Sequence, residues 1–172
     1  MIAIECTAPD TIRFERILDA PVETVWRYLV EPELRALWFA GGATDPREGG
    51  AIDLIFDHDN LSADDVLYPA AYAAYKGATV HERILRFDPP RVFAFTFEGD
   101  GVASFELFPE GGRTRLVLTH SGIAKRENFA GFGGGWHSHL AVLQALFRGE
   151  RIGDFWALHA QSEAAVKAAL GG

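Results

Sequence analysis

A run of short alternating strands followed by one amphipathic helix leaves this chain few ways to fold. Trp136, Leu140, Leu143 and Phe147 recur at steps of four, three and four, an apolar stripe along one helix face. Such a helix must lie on something, and the partner on offer is the concave face of an antiparallel sheet. Alternation of apolar and polar residues marks strands over 12–18, 51–56, 77–87, 91–98, 102–108 and 113–120. Gly99-Asp100-Gly101 and Glu110-Gly111-Gly112 are turn signals too short for a crossover, so the last three strands pair antiparallel.

The remaining segments follow from their punctuation. Asp19-Ala20-Pro21 ends the first strand, and Pro21 suits the first turn of a helix with Val22, Val25, Trp26 and Leu29 on one face. Pro32 begins a second short helical stretch over 33–38, closed by Gly41-Gly42. Residues 57–75 lose period and read as a long loop or lid containing at least one helical turn. Gly131-Phe132-Gly133-Gly134-Gly135 either brings the chain into the long helix closely against the sheet or gives flexible access to a pocket. An alanine-rich helix over 155–170 completes the chain. The expectation is a single domain over 1–172, with a core at about 12–148 and a C-terminal helical extension over 149–172.

Charge and cysteine content exclude several function classes. A net charge of −8 argues against a nucleic-acid surface, which needs clustered Lys and Arg. Cys6 is the single cysteine, so no intrachain disulfide forms and a reducing, cytoplasmic setting is expected. No apolar run is long enough to span a bilayer, so no membrane partner is expected. With 13 Phe, 4 Trp and 4 Tyr, rings are the natural lining for any small-molecule pocket.

Several segments together resemble a known family. They are Ala20-Pro21 with Val25-Trp26, Pro32-Glu33-Leu34 leading to Trp38-Phe39, Gly49-Gly50, and Gly77 with Glu82. Downstream come Asp88-Pro89-Pro90-Arg91 with Phe95-Thr96-Phe97, then Leu118-Thr119-His120, and Gly135-Trp136 with Leu140 and Leu143. Their order resembles the START-like, or SRPBCC, superfamily, and within it the family named after the C-terminal domain of the activator of the heat-shock-protein-90 ATPase. The resemblance implies an α+β helix-grip fold. A curved antiparallel sheet of about six strands would wrap around the long C-terminal helix, with two short helices after the first strand and an extra terminal helix.

On that fold the rings at Trp38, Phe56, Phe95, Phe97, Phe105 and Trp136, with Leu140, belong to faces that meet between sheet and helix. They are the expected lining of a ligand cavity. His120 shares a strand face with Leu116 and Leu118, either orienting a ligand or bonded to a neighbouring backbone group. Glu82 falls in register with Val80 and Ile84, and is a polar anchor in the cavity if that face points inward. No catalytic set is expected. Ser121 and Ser138 lack a nucleophile elbow. His137 and His139, two apart on a helix, point in different directions and do not chelate one metal. Asp57-His58-Asp59-Asn60-Leu61-Ser62 lacks the ligands and glycine of a calcium loop, and no cofactor is implied. The expected function is binding of a small, largely apolar molecule. Its rivals are a co-chaperone-like interaction module with an exposed patch at Phe155, Trp156 and Leu158, and a cyclase-, dehydratase- or hydrolase-type enzyme using Glu82 or His120. The same final-helix patch would serve a homodimer.

Overall fold

The structure is a computed structural model and describes residues 4–99 and 101–171. The chain runs through strands β1 (Ile4–Ala8) and β2 (Thr11–Leu18), then helices α1 (Val22–Val30) and α2 (Pro32–Arg35). Strands β3 (Ala51–Ile55), β4 (Thr79–Asp88), β5 (Val92–Thr96), β6 (Val102–Glu110) and β7 (Arg113–Ser121) follow, and helices α3 (Phe129–Phe147) and α4 (Phe155–Ala169) end it. The strands form one antiparallel sheet of seven in the order β1-β2-β7-β6-β5-β4-β3. It curves around α3, and the α+β helix-grip architecture implied by the family resemblance is present.

Register explains where the core sits. Phe14 pairs with Leu118, Leu118 with Phe105, and Phe105 with Phe93, a buried apolar row crossing four strands. Every second residue along each strand repeats the arrangement, so Ile12, His120, Ala103 and Phe95 form the next row. Trp136, Leu140 and Leu143 of α3 are buried with this face in one continuous core.

Arg35 fixes the entry to β3. Its side chain is only 1% exposed, and its guanidinium donates to the carbonyls of Ala40 at 2.8 Å and Gly42 at 3.1 Å and to the Thr44 hydroxyl at 3.1 Å. Burial pushes its pKa down to about 10, and the fork of donors compensates by taking up carbonyls left unpaired in the turn. This turn carries Trp38 and Phe39 into the interior.

Three expectations need correction. The sheet gains β1, which pairs with β2; residues 5–8 are exposed on the sheet edge, so they carry little apolar patterning. The long helix begins at Phe129, so the glycine run is helical rather than an approach to the helix. The reason is visible in what those glycines meet. A Cβ on Gly133 would lie 2.7 Å from Cγ1 of Val166, and one on Gly134 would lie 2.8 Å from Cα of Glu163. Only glycine lets α3 and α4 approach so closely, and that contact offsets the helix-propensity cost of about 1 kcal/mol per glycine. Thirdly, Phe155 and Trp156 are buried within the chain, so the expected exposed patch on the final helix is absent. Their rings pack against the 57–75 segment, which forms two 3-10 turns, His58–Leu61 and Ala70–Tyr75. That segment is tied to the α3–α4 connection by Ala63 N–H to the Ile152 carbonyl at 2.8 Å and Phe155 N–H to the Ser62 hydroxyl at 2.9 Å.

Candidate functional site

Most of the interface between sheet and α3 is filled, but one end is not. Beyond the ends of β3 and β5, a cavity of about 190 Å³ lies between α3, α4 and the 57–75 segment. Two glycines on α3 help to create it. A Cβ built on Gly131 or Gly135 meets nothing within 4 Å, and both positions line the cavity. Four residues apart, they share one helix face, so the single glycine run serves two purposes on two faces.

Aromatic rings form the wall. Phe39 stacks on Trp136 with centroids 5.0 Å apart, Phe97 tilts against Trp136 at 5.2 Å, and Phe56 meets Phe39 edge-on at 5.3 Å. On the opposite side Tyr72 stacks on Trp156 at 4.9 Å. Tyr75, 61% exposed, stands with Glu98 and Gly131 where the cavity meets solvent.

Three histidines supply the polar part of the lining, one from each remaining wall: His58, His139 and His159. His139 donates from Nδ1 to the Trp38 carbonyl at 2.8 Å, which fixes the tautomer and leaves a lone pair on Nε2. Burial pushes its pKa down to about 3, with the neighbouring His58 adding to the effect. His58 pairs through Nδ1 with the Tyr68 hydroxyl at 2.7 Å and is brought down to about 4, chiefly by desolvation. His159 lies against Tyr72 at 5.2 Å and is also lowered by burial. All three are neutral near pH 7. The cavity therefore offers hydrogen-bonding imidazoles without positive charge. Among the described residues no group of three or more His, Cys, Asp or Glu side chains is placed to share a metal ion.

The structure brings together some of the residues singled out from the sequence and separates others. Phe56, Phe97 and Trp136 line the cavity. Trp38, Phe95, Phe105 and Leu140 lie in the filled core instead, where Trp38 donates its indole N–H to the Tyr28 carbonyl at 2.8 Å. His120 is 1% exposed and accepts the Trp136 indole N–H on Nδ1 at 3.1 Å, so its partner is a core ring rather than backbone. Desolvation lowers its pKa to about 4. Glu82 sits outside the cavity wall. Its carboxylate accepts from the Thr96 hydroxyl and from the Glu98 N–H, the latter at 3.1 Å. Glu98 has a positive φ of 56°, and Glu82 thereby holds the strained turn that places Glu98 at the mouth.

The histidines were missed, although a signal for two of them exists. Trp136-x-x-His139 and Trp156-x-x-His159 each put a ring and an imidazole on one helix face, and both faces turn to the cavity. His58, in an aperiodic stretch, carries no such signal.

No helix among the described residues is long and apolar enough to cross a membrane. No functionally curated protein matches the chain in sequence. Among solved structures, the protein encoded by BPP1335 of Bordetella parapertussis is 38% identical, over 95% of this chain and 87% of that one, with a TM-score of 0.80. CalU16 of Micromonospora echinospora shares the fold at 24% identity, with 99% of each chain covered and a TM-score of 0.71. A conserved protein of unknown function, EF2215 of Enterococcus faecalis, shares it at 16% identity, over 96% of this chain and 90% of that one, with a TM-score of 0.64. The family described as Activator of Hsp90 ATPase homolog 1-like protein matches residues 19–148, so the chain belongs to that family, within the START-like (SRPBCC) superfamily.

Proposed function

We propose that this protein binds a small, largely apolar molecule in the cavity bounded by α3, α4, the ends of β3 and β5, and the 57–75 segment. The supporting observation is the contrast in filling. The interface is packed solid around Trp38, Phe95, Phe105 and Leu140, while about 190 Å³ stays open where Gly131 and Gly135 withhold side chains. Rings lining an open cavity keep apolar surface in water, and an apolar ligand gains about 25 cal/mol for each Å² it covers. The single cysteine supports a reducing compartment as the place where this occurs.

Saturation-transfer NMR with 2-methoxynaphthalene as the probe tests the proposal. Transfer to the probe is expected with the wild-type protein and is lost in Gly135→Leu, whose side chain grows into the cavity. The variant should melt no lower than wild type, because nothing stands within 4 Å of the new Cβ. No transfer from the wild-type protein, or undiminished transfer from Gly135→Leu, overturns it.

A further inference from the structure

The polar atoms of the cavity wall specify more than an apolar ligand. His139 spends its one N–H on the Trp38 carbonyl, so the atom left over, Nε2, only accepts. A ligand with nothing but acceptors leaves that lone pair unmet inside an aromatic pocket, at a desolvation cost. Trp156 lines the same cavity with its ring, while its indole N–H is buried away from the open space and offers a ligand no donor. The polar group left over in the wall is thus an acceptor that lacks a donor.

Charge narrows the class further. The lining contains no Lys or Arg, its histidines are held neutral by burial, and its one carboxylate is Glu98 at the mouth. An anionic ligand would find no counter-charge inside and a like charge at the entrance.

Building on the cavity as a ligand site, we infer that its ligand is an uncharged aromatic molecule bearing a hydroxyl group, whose O–H donates to Nε2 of His139. His139 is then the residue that selects a hydroxylated ring over an unsubstituted or capped one.

Three probes sharing one ring system test this by titration calorimetry: 2-naphthol, 2-methoxynaphthalene and 2-naphthoate. Naphthol should bind about tenfold more tightly than its methyl ether, the value of one well-made hydrogen bond, and more tightly still than the carboxylate. With histidine labelled in ¹⁵N, Nε2 of His139 should shift upfield when naphthol is added and not when the methyl ether is added. His139→Phe should bind naphthol and the ether alike. If that variant fails to fold, the wild-type affinities and the Nε2 shift still decide. Equal binding of naphthol and ether, tightest binding of naphthoate, or a naphthol shift at His58 with none at His139 overturns the hydroxyl assignment and leaves the apolar site standing. Failure of all three probes to bind overturns the site itself, and the inference with it.

Discussion

The two ends of α3 face the same curved sheet with opposite results. Toward its C-terminal end Leu140 and Leu143 are fully buried, and the facing strands contribute Phe95 and Phe105 to a core without room for a guest. Toward its N-terminal end Gly131 and Gly135 leave space that rings from other segments surround without filling. Gly133 and Gly134, between them, face α4 and hold it close. One helix therefore combines a packing half, whose residues supply stability, with a hollow half, whose missing side chains supply room. The lesson is that ring content did not locate the site. Rings are abundant in both halves, and what distinguishes the hollow one is absent volume together with neutral histidines.

The comparison can be broken most forcefully in the packing half. Phe105→Ala should cost about 3–5 kcal/mol in urea unfolding, as large-to-small core changes do, whereas Phe97→Ala at the cavity wall should cost about half as much. Equal losses would mean that the cavity closes over in solution. Acid should act on the hollow half. Unfolded histidine titrates near 6.5, while His58 in the cavity wall and His120, buried behind that wall against Phe97, Phe132 and Trp136, are held at about 4 when folded. Between those values the unfolded chain binds more protons, so stability is intact above about pH 6.5 and declines as the pH falls toward 4. Each histidine contributes on the order of 2–3 kcal/mol to that decline. Urea midpoints from pH 7.5 to 4.5 check this, and His58→Phe should remove its own share while leaving those of His120 and His139.

Two glycine substitutions sharpen the contrast at smaller cost. Gly134→Ala drives a methyl group against the backbone of Glu163 and should destabilise by about 1–3 kcal/mol, because α4 must shift. Gly135→Ala, one residue along, meets no atom and should stabilise by up to about 1 kcal/mol through helix propensity alone. Thermal melts of the pair read both signs in one experiment. A drop in both would place Gly135 against α4 rather than against the cavity.

Much of the fold was visible in the sequence because its cause is local. Alternation along 12–18, 91–98, 102–108 and 113–120 announced strands β2, β5, β6 and β7, and the inward face of His120 followed from its register with Leu116 and Leu118. Strand β1 escaped because an exposed edge strand needs little apolar patterning. The start of α3 escaped because glycine argues against a helix in isolation, and only the presence of α4 reverses that preference. For the site the sequence supplied Phe56, Phe97 and Trp136 and, unrecognised, the paired Trp-x-x-His spacings of α3 and α4. It also proposed Glu82, whose carboxylate is engaged by Thr96 and Glu98 at the mouth instead.

The sequence by itself determined that an antiparallel sheet would wrap an amphipathic helix, since periods of two and of three to four are written along the chain and each is read over a few neighbouring residues. Which rings fill space and which surround it was decided by tertiary structure alone. A cavity is volume that no side chain occupies, bounded here by Phe39, His58, Phe97, His139 and Trp156 from five separate segments. No local pattern encodes how such distant side chains fail to meet.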